Sequence, residues 1–347
     1  MKKELSRVWK EMVLIPWKRW VKRPIWDWIQ VEVTTRCNAS CSYCPRTLAG
    51  KSWPQRDLNM QLFRRLLPHL AKARHVHLQG WGEPLLHPEL FQMAKLSREA
   101  GCRVGTTTNG TLMDLEMARQ MVRAGFHVVA FSMAGTGPQN DRIRKGAPLE
   151  RVLHAMRLVA RARAEAGADV PEIHVAYMLL ASAWEEFPRL PEILDEIPVS
   201  QVVVSTLDCV LEKSLEGELM PHGDKALLSC LAEVSKKLAL KGTLLHHHLG
   251  DVAGGGFAPC TENVLRALVV GAQGDVGPCV YTNMSLPEIP QWRKGEKRPL
   301  HRLSFGNLAQ KSLMEIWEDP AYVKFRDSFS TVSWEPACVD CPKKCGL

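Results

Sequence analysis

From about residue 28 to residue 241 the chain alternates apolar, strand-like runs with helix-like stretches, and this alternation limits the fold more than any other feature. The strand-like runs fall at 29–35, 75–80, 103–108, 128–134, 173–180 and 201–207. Helix-like stretches lie near 58–73, 88–100, 113–124, 149–166, 185–196 and 224–241. Strands that run parallel need a long crossover, normally a helix, so six such units predict an α/β fold built on a parallel sheet or barrel. Gly101, Asn109-Gly110, Gly125 and Gly167 supply turn chemistry between units.

The pattern changes at residues 242–256, where His246, His247 and His248 precede Gly254, Gly255 and Gly256. Adjacent histidines do not share a helix face, so the run reads as a solvated linker. A hairpin pattern follows, 265–270 and 276–280 around a turn at 271–274; then come a Pro- and charge-rich loop at 285–300, an amphipathic helix at 312–327 and a cysteine-rich tail. Three regions result: an arm at 1–27, an α/β body at 28–245 and a small C-terminal unit at 246–347. At 347 residues, 46% hydrophobic and 24% charged, the chain is ordinary for a globular protein, which excludes disorder. No run approaches 18 apolar residues, which excludes a spanning helix, and charges interrupt the N-terminus as a secretory signal would not allow.

The net charge of +8 is unevenly placed. Residues 1–24 hold eight Lys/Arg against Glu4 and Glu11, leaving only +2 for the rest. A near-neutral body speaks against a nucleic-acid face, because phosphate binding needs clustered cations. The arm, with Leu5, Val8, Trp9, Met12 and Val13 at helical spacing, suits either packing on the body or contact with a membrane surface or partner protein.

Eleven cysteines without an export signal point to metal rather than disulfides, and to a cytoplasmic protein. Cys37, Cys41 and Cys44 have the spacing C-x3-C-x2-C directly after the first strand. Three thiolates on one loop leave a zinc site short of a ligand, but they can hold three corners of a [4Fe–4S] cube and leave its fourth iron open.

This motif, in this position, resembles that of the radical S-adenosylmethionine (radical SAM) superfamily. The resemblance implies a partial (β/α)6 TIM-like barrel in which Cys37, Cys41 and Cys44 ligate the cube. S-adenosylmethionine chelates the open iron and is cleaved by one electron to methionine and a 5′-deoxyadenosyl radical, which abstracts hydrogen from a substrate. Tyr43, just before the third cysteine, would contact adenine. Gly80-Trp81-Gly82-Glu83-Pro84 resembles the family's Gly-Gly-Glu-Pro motif, with Trp81 in place of a glycine. There Gly80, Gly82, Glu83 and Pro84 would hold the methionine amino group. Thr108 and Asn109, in a Thr-Asn-Gly turn, would reach the ribose. Ser132 and Arg144 would bind the methionine carboxylate.

The C-terminal unit resembles the SPASM/twitch extension, a small α+β module carrying auxiliary iron–sulfur clusters. It has five cysteines, Cys260, Cys279, Cys338, Cys341 and Cys345, where a full SPASM module has seven or more. One cube needs four thiolates, so this implies a single auxiliary [4Fe–4S] cluster held by Cys260, Cys279, Cys338 and Cys341, with Cys345 competing for a place; zinc is the alternative at this site. Cys102, Cys209 and Cys230 read as inert thiols, and Asp208 as a residue at the barrel mouth. The expected activity is radical oxidation or rearrangement of a small molecule or cofactor precursor, with flavodoxin or ferredoxin as electron donor. A peptide-modifying maturase and a non-catalytic electron-transfer protein are the alternatives.

Overall fold

The computed structural model describes residues 24–221, 223–247, 260–286, 288–330, 334–339, 341 and 343. The basic arm, most of the histidine-to-glycine linker and Cys345 therefore lie outside the described residues.

Ten strands form one sheet among these residues. They are β1 (Trp26–Val31), β2 (Ala73–Leu78), β3 (Arg103–Thr108), β4 (Val128–Met133), β5 (Glu172–Leu179), β6 (Val199–Thr206), β7 (Leu244–His247), β8 (Ala267–Val270), β9 (Asp275–Gly277) and β10 (Gly306–Asn307). The spatial order is β10-β9-β8-β1-β2-β3-β4-β5-β6-β7. Strands β1 to β7 pair parallel in sequence order, with helices such as Leu90–Glu99, Leu115–Ala124 and Leu149–Glu165 between them. This is the partial barrel expected from the alternation, extended by one strand. His246 and His247, read as linker, pair in β7 with Val203 and Val204 of β6. A β-branched neighbour strand offers them backbone partners that an isolated tripeptide lacks.

The C-terminal unit joins this sheet. Strand β8 pairs parallel to β1, Trp28 opposite Ala267 through Val31 opposite Val270, and β9 and β10 continue antiparallel. The joint is sealed by aromatic packing: Trp26, fully buried as the first residue of β1, meets Trp317 edge-on at 5.7 Å. Trp317 in turn meets Tyr322, which stacks on Phe305 at 4.1 Å.

Strand alternation decides what faces where. Ile29, Val31, Val129, Phe131, Val175 and Val202 are buried against the helices. Thr107, Ala130 and His174 share one register row on the other face, and the small residues Ser132 and Ala176 share another.

Prolines shortened several expected helices. The 58–73 stretch divides into Met60–Arg64 and Leu67–Leu70, with Pro68 in the second. Residues 185–196 form a 3-10 segment, Ala181–Arg189, and a single turn, Leu190–Ile193, because Pro188 and Pro191 lack the donor an α-helix interior requires. Residues 312–327 split into Leu313–Trp317 and Pro320–Ser328, the second capped by Asp319. The 285–300 stretch is a hairpin, with Trp292–Arg293 paired to Glu296–Lys297 around Lys294 and Gly295, both at positive φ.

Candidate functional site

The first cysteine loop leaves the C-terminal end of the sheet, where α/β barrels build their sites. Its approach is pinned by hydrogen bonds from Thr35 N to Arg56 O and from Leu58 N to Val33 O, and by the Trp53 indole donating to Thr35 O at 3.1 Å. Ser40–Cys41 then pairs antiparallel with Arg144–Lys145, and Ser42 N donates to Ile143 O. This ladder brings residues a hundred positions apart into contact: the Arg144 guanidinium donates to the Tyr43 hydroxyl at 2.8 Å. Arg144 is buried, and its Nε has no partner among the described residues.

Glu83 ties the loops after β1, β2 and β3 together. Its backbone N donates to Arg36 O at 2.7 Å. Its Oε1 accepts from the Thr108 hydroxyl at 2.6 Å and from Leu85 N at 3.1 Å, while Oε2 accepts from Asn109 N at 2.7 Å. Burial pushes the Glu83 carboxyl up, and these three bonds pull it back toward the ionised form. Oε2 keeps a lone pair for one further donor. Asn109 also reaches Cys37, its amide 3.8 Å from Sγ and 2.9 Å from Asn38 Oδ1.

The two glycines are occupied by protein contacts. A Cβ on Gly82 would lie 2.3 Å from Thr34 O, and one on Gly80 would lie 2.3 Å from Glu32 Cγ, so each position lets the β2 loop press against the continuation of β1. Pro84 is buried at the start of the Pro84–Leu86 turn. Ser132 is half-buried on the inner face of β4, in register with Ala176.

Burial raises the thiols of Cys37 and Cys44, the latter to about 11, and neighbouring cysteines add to the effect. Thiolates crowded in this way need a cationic partner, and the donor set fits an iron–sulfur cube. The buried Arg144 with an unpaired N–H, and Glu83 with acceptor capacity left, fit the carboxylate and ammonium of an amino acid. Among the described residues no three His, Cys, Asp or Glu side chains converge to hold one metal ion. The ligands of a cube each meet a different iron and do not need to converge.

Four other cysteines meet at a second place. Cys260, Cys279 and the tail pair Cys338 and Cys341 line one cleft that is partly open to solvent. Burial pushes the Cys279 thiol up to about 12 and raises those of Cys260 and Cys341. Lys343, two residues after Cys341, closes the cleft on the barrel side: its Nζ sits 2.7 Å from Asp208 Oδ2 and 3.8 Å from Glu262 Oε1. Thr261 N donates to Lys343 O at 2.9 Å, joining the first cysteine segment of this unit to the last. Cys102, by contrast, is buried and donates to Leu70 O at 2.9 Å, apart from both groups.

The family model for the radical SAM superfamily matches residues 31–173, and the SPASM iron–sulfur cluster-binding domain matches residues 260–342. Fe-coproporphyrin III synthase of Methanosarcina barkeri is 33% identical over 318 residues, covering 86% of this chain and 74% of its own. The chain belongs to the radical SAM superfamily. As a radical SAM enzyme with a SPASM region, it binds S-adenosylmethionine, a [4Fe–4S] cluster and auxiliary iron–sulfur. A tungsten-containing aldehyde ferredoxin oxidoreductase cofactor-modifying protein of Pyrococcus furiosus is 26% identical, covering 90% of this chain and 86% of its own. The AdoMet-dependent heme synthase of Methanosarcina barkeri is 24% identical, covering 85% and 83%. In fold, this radical SAM enzyme is similar to anSMEcpe with bound AdoMet, at a TM-score of 0.65, 18% identity, and coverage of 92% of this chain and 84% of that one. It is also similar to Streptococcus suis SuiB bound to S-adenosylmethionine, at a TM-score of 0.62, 13% identity, and coverage of 94% and 71%. No helix among the described residues is long and apolar enough to cross a membrane.

Sequence reasoning missed Lys343, Glu32 and Arg293. Lys343 had a signal, its place between Cys341 and Cys345. Glu32 had none: a lone glutamate at a strand end reads as solvated, yet it is buried, accepts from Trp81 N at 3.1 Å, and is pushed up by burial to about 7.

Proposed function

We propose that this enzyme makes or alters a cofactor, acting on a tetrapyrrole-class small molecule in the cytoplasm, with a flavodoxin or ferredoxin as electron donor. The observation that carries the proposal is the cleft beside the four C-terminal cysteines. It presents Phe325, Phe329 and Trp334 alongside Arg293 and Arg298, the mostly apolar lining with a few placed polar groups that small-molecule sites use. Apolar rings with a few cations suit a flat, acidic, cofactor-sized substrate. Of the three relatives aligned over most of the chain, two have names that concern heme and Fe-coproporphyrin III and support a tetrapyrrole, and the third, a cofactor-modifying protein, supports cofactor chemistry in general.

In this reading Cys37, Cys41 and Cys44 hold the cluster whose open iron binds S-adenosylmethionine. When bound, the pair supplies one-electron cleavage of the sulfonium and a carbon radical that removes hydrogen from the substrate. Arg144 would offer its unpaired Nε–H to the methionine carboxylate, and Tyr43, held by Arg144, would contact the adenine. Glu83, held by the Asn109 and Thr108 bonds, would accept from the amino group. Gly80, Gly82 and Pro84 set the backbone that aims Glu83, and Ser132 lies on the inner face below. Cys260, Cys279, Cys338 and Cys341 hold one auxiliary cube, with Cys345 as a competing ligand.

Anaerobically reconstituted protein, given dithionite, S-adenosylmethionine and Fe-coproporphyrin III, should form 5′-deoxyadenosine together with a porphyrin of altered mass. Stimulation by a peptide instead of the porphyrin would identify a maturase. Iron near eight per chain, with no 5′-deoxyadenosine under any condition, would identify an electron-transfer protein.

A further inference from the structure

We infer that Arg293, carried on the hairpin that follows Ile289, is the anchor for a substrate carboxylate. This inference rests on the tetrapyrrole reading above and assigns the group that selects within it. The hairpin is fixed at both ends and along its length. Ile289 and Leu300 exchange backbone bonds, Trp292 N donates to Val210 O at 2.7 Å, and Gly295 N reaches the Glu216 carboxylate at 3.0 Å. Gln291 donates to Cys209 Sγ at 3.6 Å. Neighbouring residues on a strand point to opposite sides. Trp292 packs in an apolar group with Leu207, Val210 and Tyr43, whereas Gln291 and Arg293 line the cleft shared by the four cysteines.

Among the described residues, every other cation lining this cleft has a carboxylate beside it, and Arg293 does not. Asp208 and Glu262 share Lys343, at 2.7 and 3.8 Å. Arg298 pairs with Glu296 at 2.8 Å. Arg293 has no acidic partner among the described residues, and one of its terminal nitrogens is buried with no acceptor. Arginine remains charged in proteins, so the half-buried Arg293, with one buried N–H group left without an acceptor, is suited to an anion from outside. Two anions can reach it: a ligand carboxylate, or the cysteine-ligated cluster itself through Cys341. Cys341 already receives the backbone N–H of Lys343, and a planar fork of N–H groups fits two carboxylate oxygens better than one sulfur. The carboxylate is therefore the assignment.

The test uses holoenzyme assembled anaerobically and titrated with Fe-coproporphyrin III and, separately, with its tetramethyl ester, reading the porphyrin absorption. Arg293→Gln should weaken binding of the acid by about thirty-fold, as loss of one member of a buried charge pair does. Arg293→Lys should recover part of that loss. Ester binding, iron content and the electron paramagnetic resonance of the auxiliary cluster should be unchanged in both variants. An unchanged acid-to-ester ratio overturns the inference, as does a shifted cluster spectrum with that ratio intact, which would assign Arg293 to the cluster. If wild-type enzyme binds neither porphyrin, the tetrapyrrole reading fails, and pyromellitate followed by tryptophan fluorescence decides Arg293 separately. Binding lost in Arg293→Gln then supports a carboxylate anchor; equal binding, or none to wild type, overturns it.

Discussion

The two cysteine groups are built on opposite plans. Cys37, Cys41 and Cys44 lie on one loop at residues 37–44, and that loop is held by backbone bonds to Ile143 and to the Arg144–Lys145 ladder. Cys260, Cys279, Cys338 and Cys341 are spread over residues 260–341, and the first and last of their segments are joined by the bond from Thr261 N to Lys343 O and by Lys343 beside Glu262. The first site is held by backbone bonds beside its own loop. The second gathers strand ends and a tail whose closure costs chain entropy, so a cluster there acts as a cross-link between distant segments. One sequence thus pairs a locally held cysteine loop with a set of distant cysteines whose ligation would also stabilise the fold.

The largest expected effect follows at the first site. Cys41→Ala should remove one of three ligands, lower iron from about eight to about four per chain and abolish 5′-deoxyadenosine formation. Its melting temperature should stay near that of wild type, because the loop is pinned by backbone bonds that the substitution leaves in place. Scanning calorimetry beside an iron assay checks this, and a collapse in stability would break the contrast. Cys279→Ala should reverse the pattern. Iron again falls by about half. Uncoupled cleavage of S-adenosylmethionine persists, product is lost, and unfolding moves to lower temperature, since the chain loses a constraint that closes a long loop.

The same difference explains what could be read from the sequence. A site on one loop shows itself as spacing, so Cys37, Cys41 and Cys44 stood out, with the Glu83 and Asn109 loops beside them at strand ends. The alternation of strands and helices gave the barrel, because each apolar run buries one face. The joint at β8 was not legible. Its run of four buried residues, Ala267–Val270, reads as half of a hairpin, and only the tertiary pairing to β1 shows that the sheet continues. Arg293 was hidden for a related reason: residues 285–300 have no periodicity, and the hairpin is held by Val210 and Glu216, which belong to the segment after β6.

Glu32 sharpens the comparison at the boundary between the two sites. It sits on the continuation of β1, under Gly80, and also accepts from the backbone of Ala272 in the β8–β9 turn. Burial raises its carboxyl from 4.5 to about 7 in the folded state. The folded protein therefore holds a proton that the unfolded chain releases between these values, and stability falls as pH rises through that window. The full effect is about 3 kcal/mol. Glu32→Gln should remove the dependence: urea midpoints at pH 5 and pH 7.5 should differ less than in wild type. An unchanged slope would place the titration elsewhere.

The smallest effect separates positioning from ligation inside the first site. Thr108 donates to Glu83 Oε1 and accepts from Gly110 N at 3.0 Å, so its hydroxyl fixes the carboxylate without lying on the cysteine loop. Thr108→Val keeps the shape and removes a bond to a charged group worth roughly 2 kcal/mol. Freed of that donor, Glu83 holds a proton more readily and accepts from an ammonium less well. The Km for S-adenosylmethionine should rise about tenfold at pH 7 and recover toward wild type as pH increases, while iron content and the cluster spectrum stay fixed. A loss of iron would make Thr108 part of the cluster's support. A Km shift independent of pH would mean that the hydroxyl touches the nucleoside directly and does not act through Glu83.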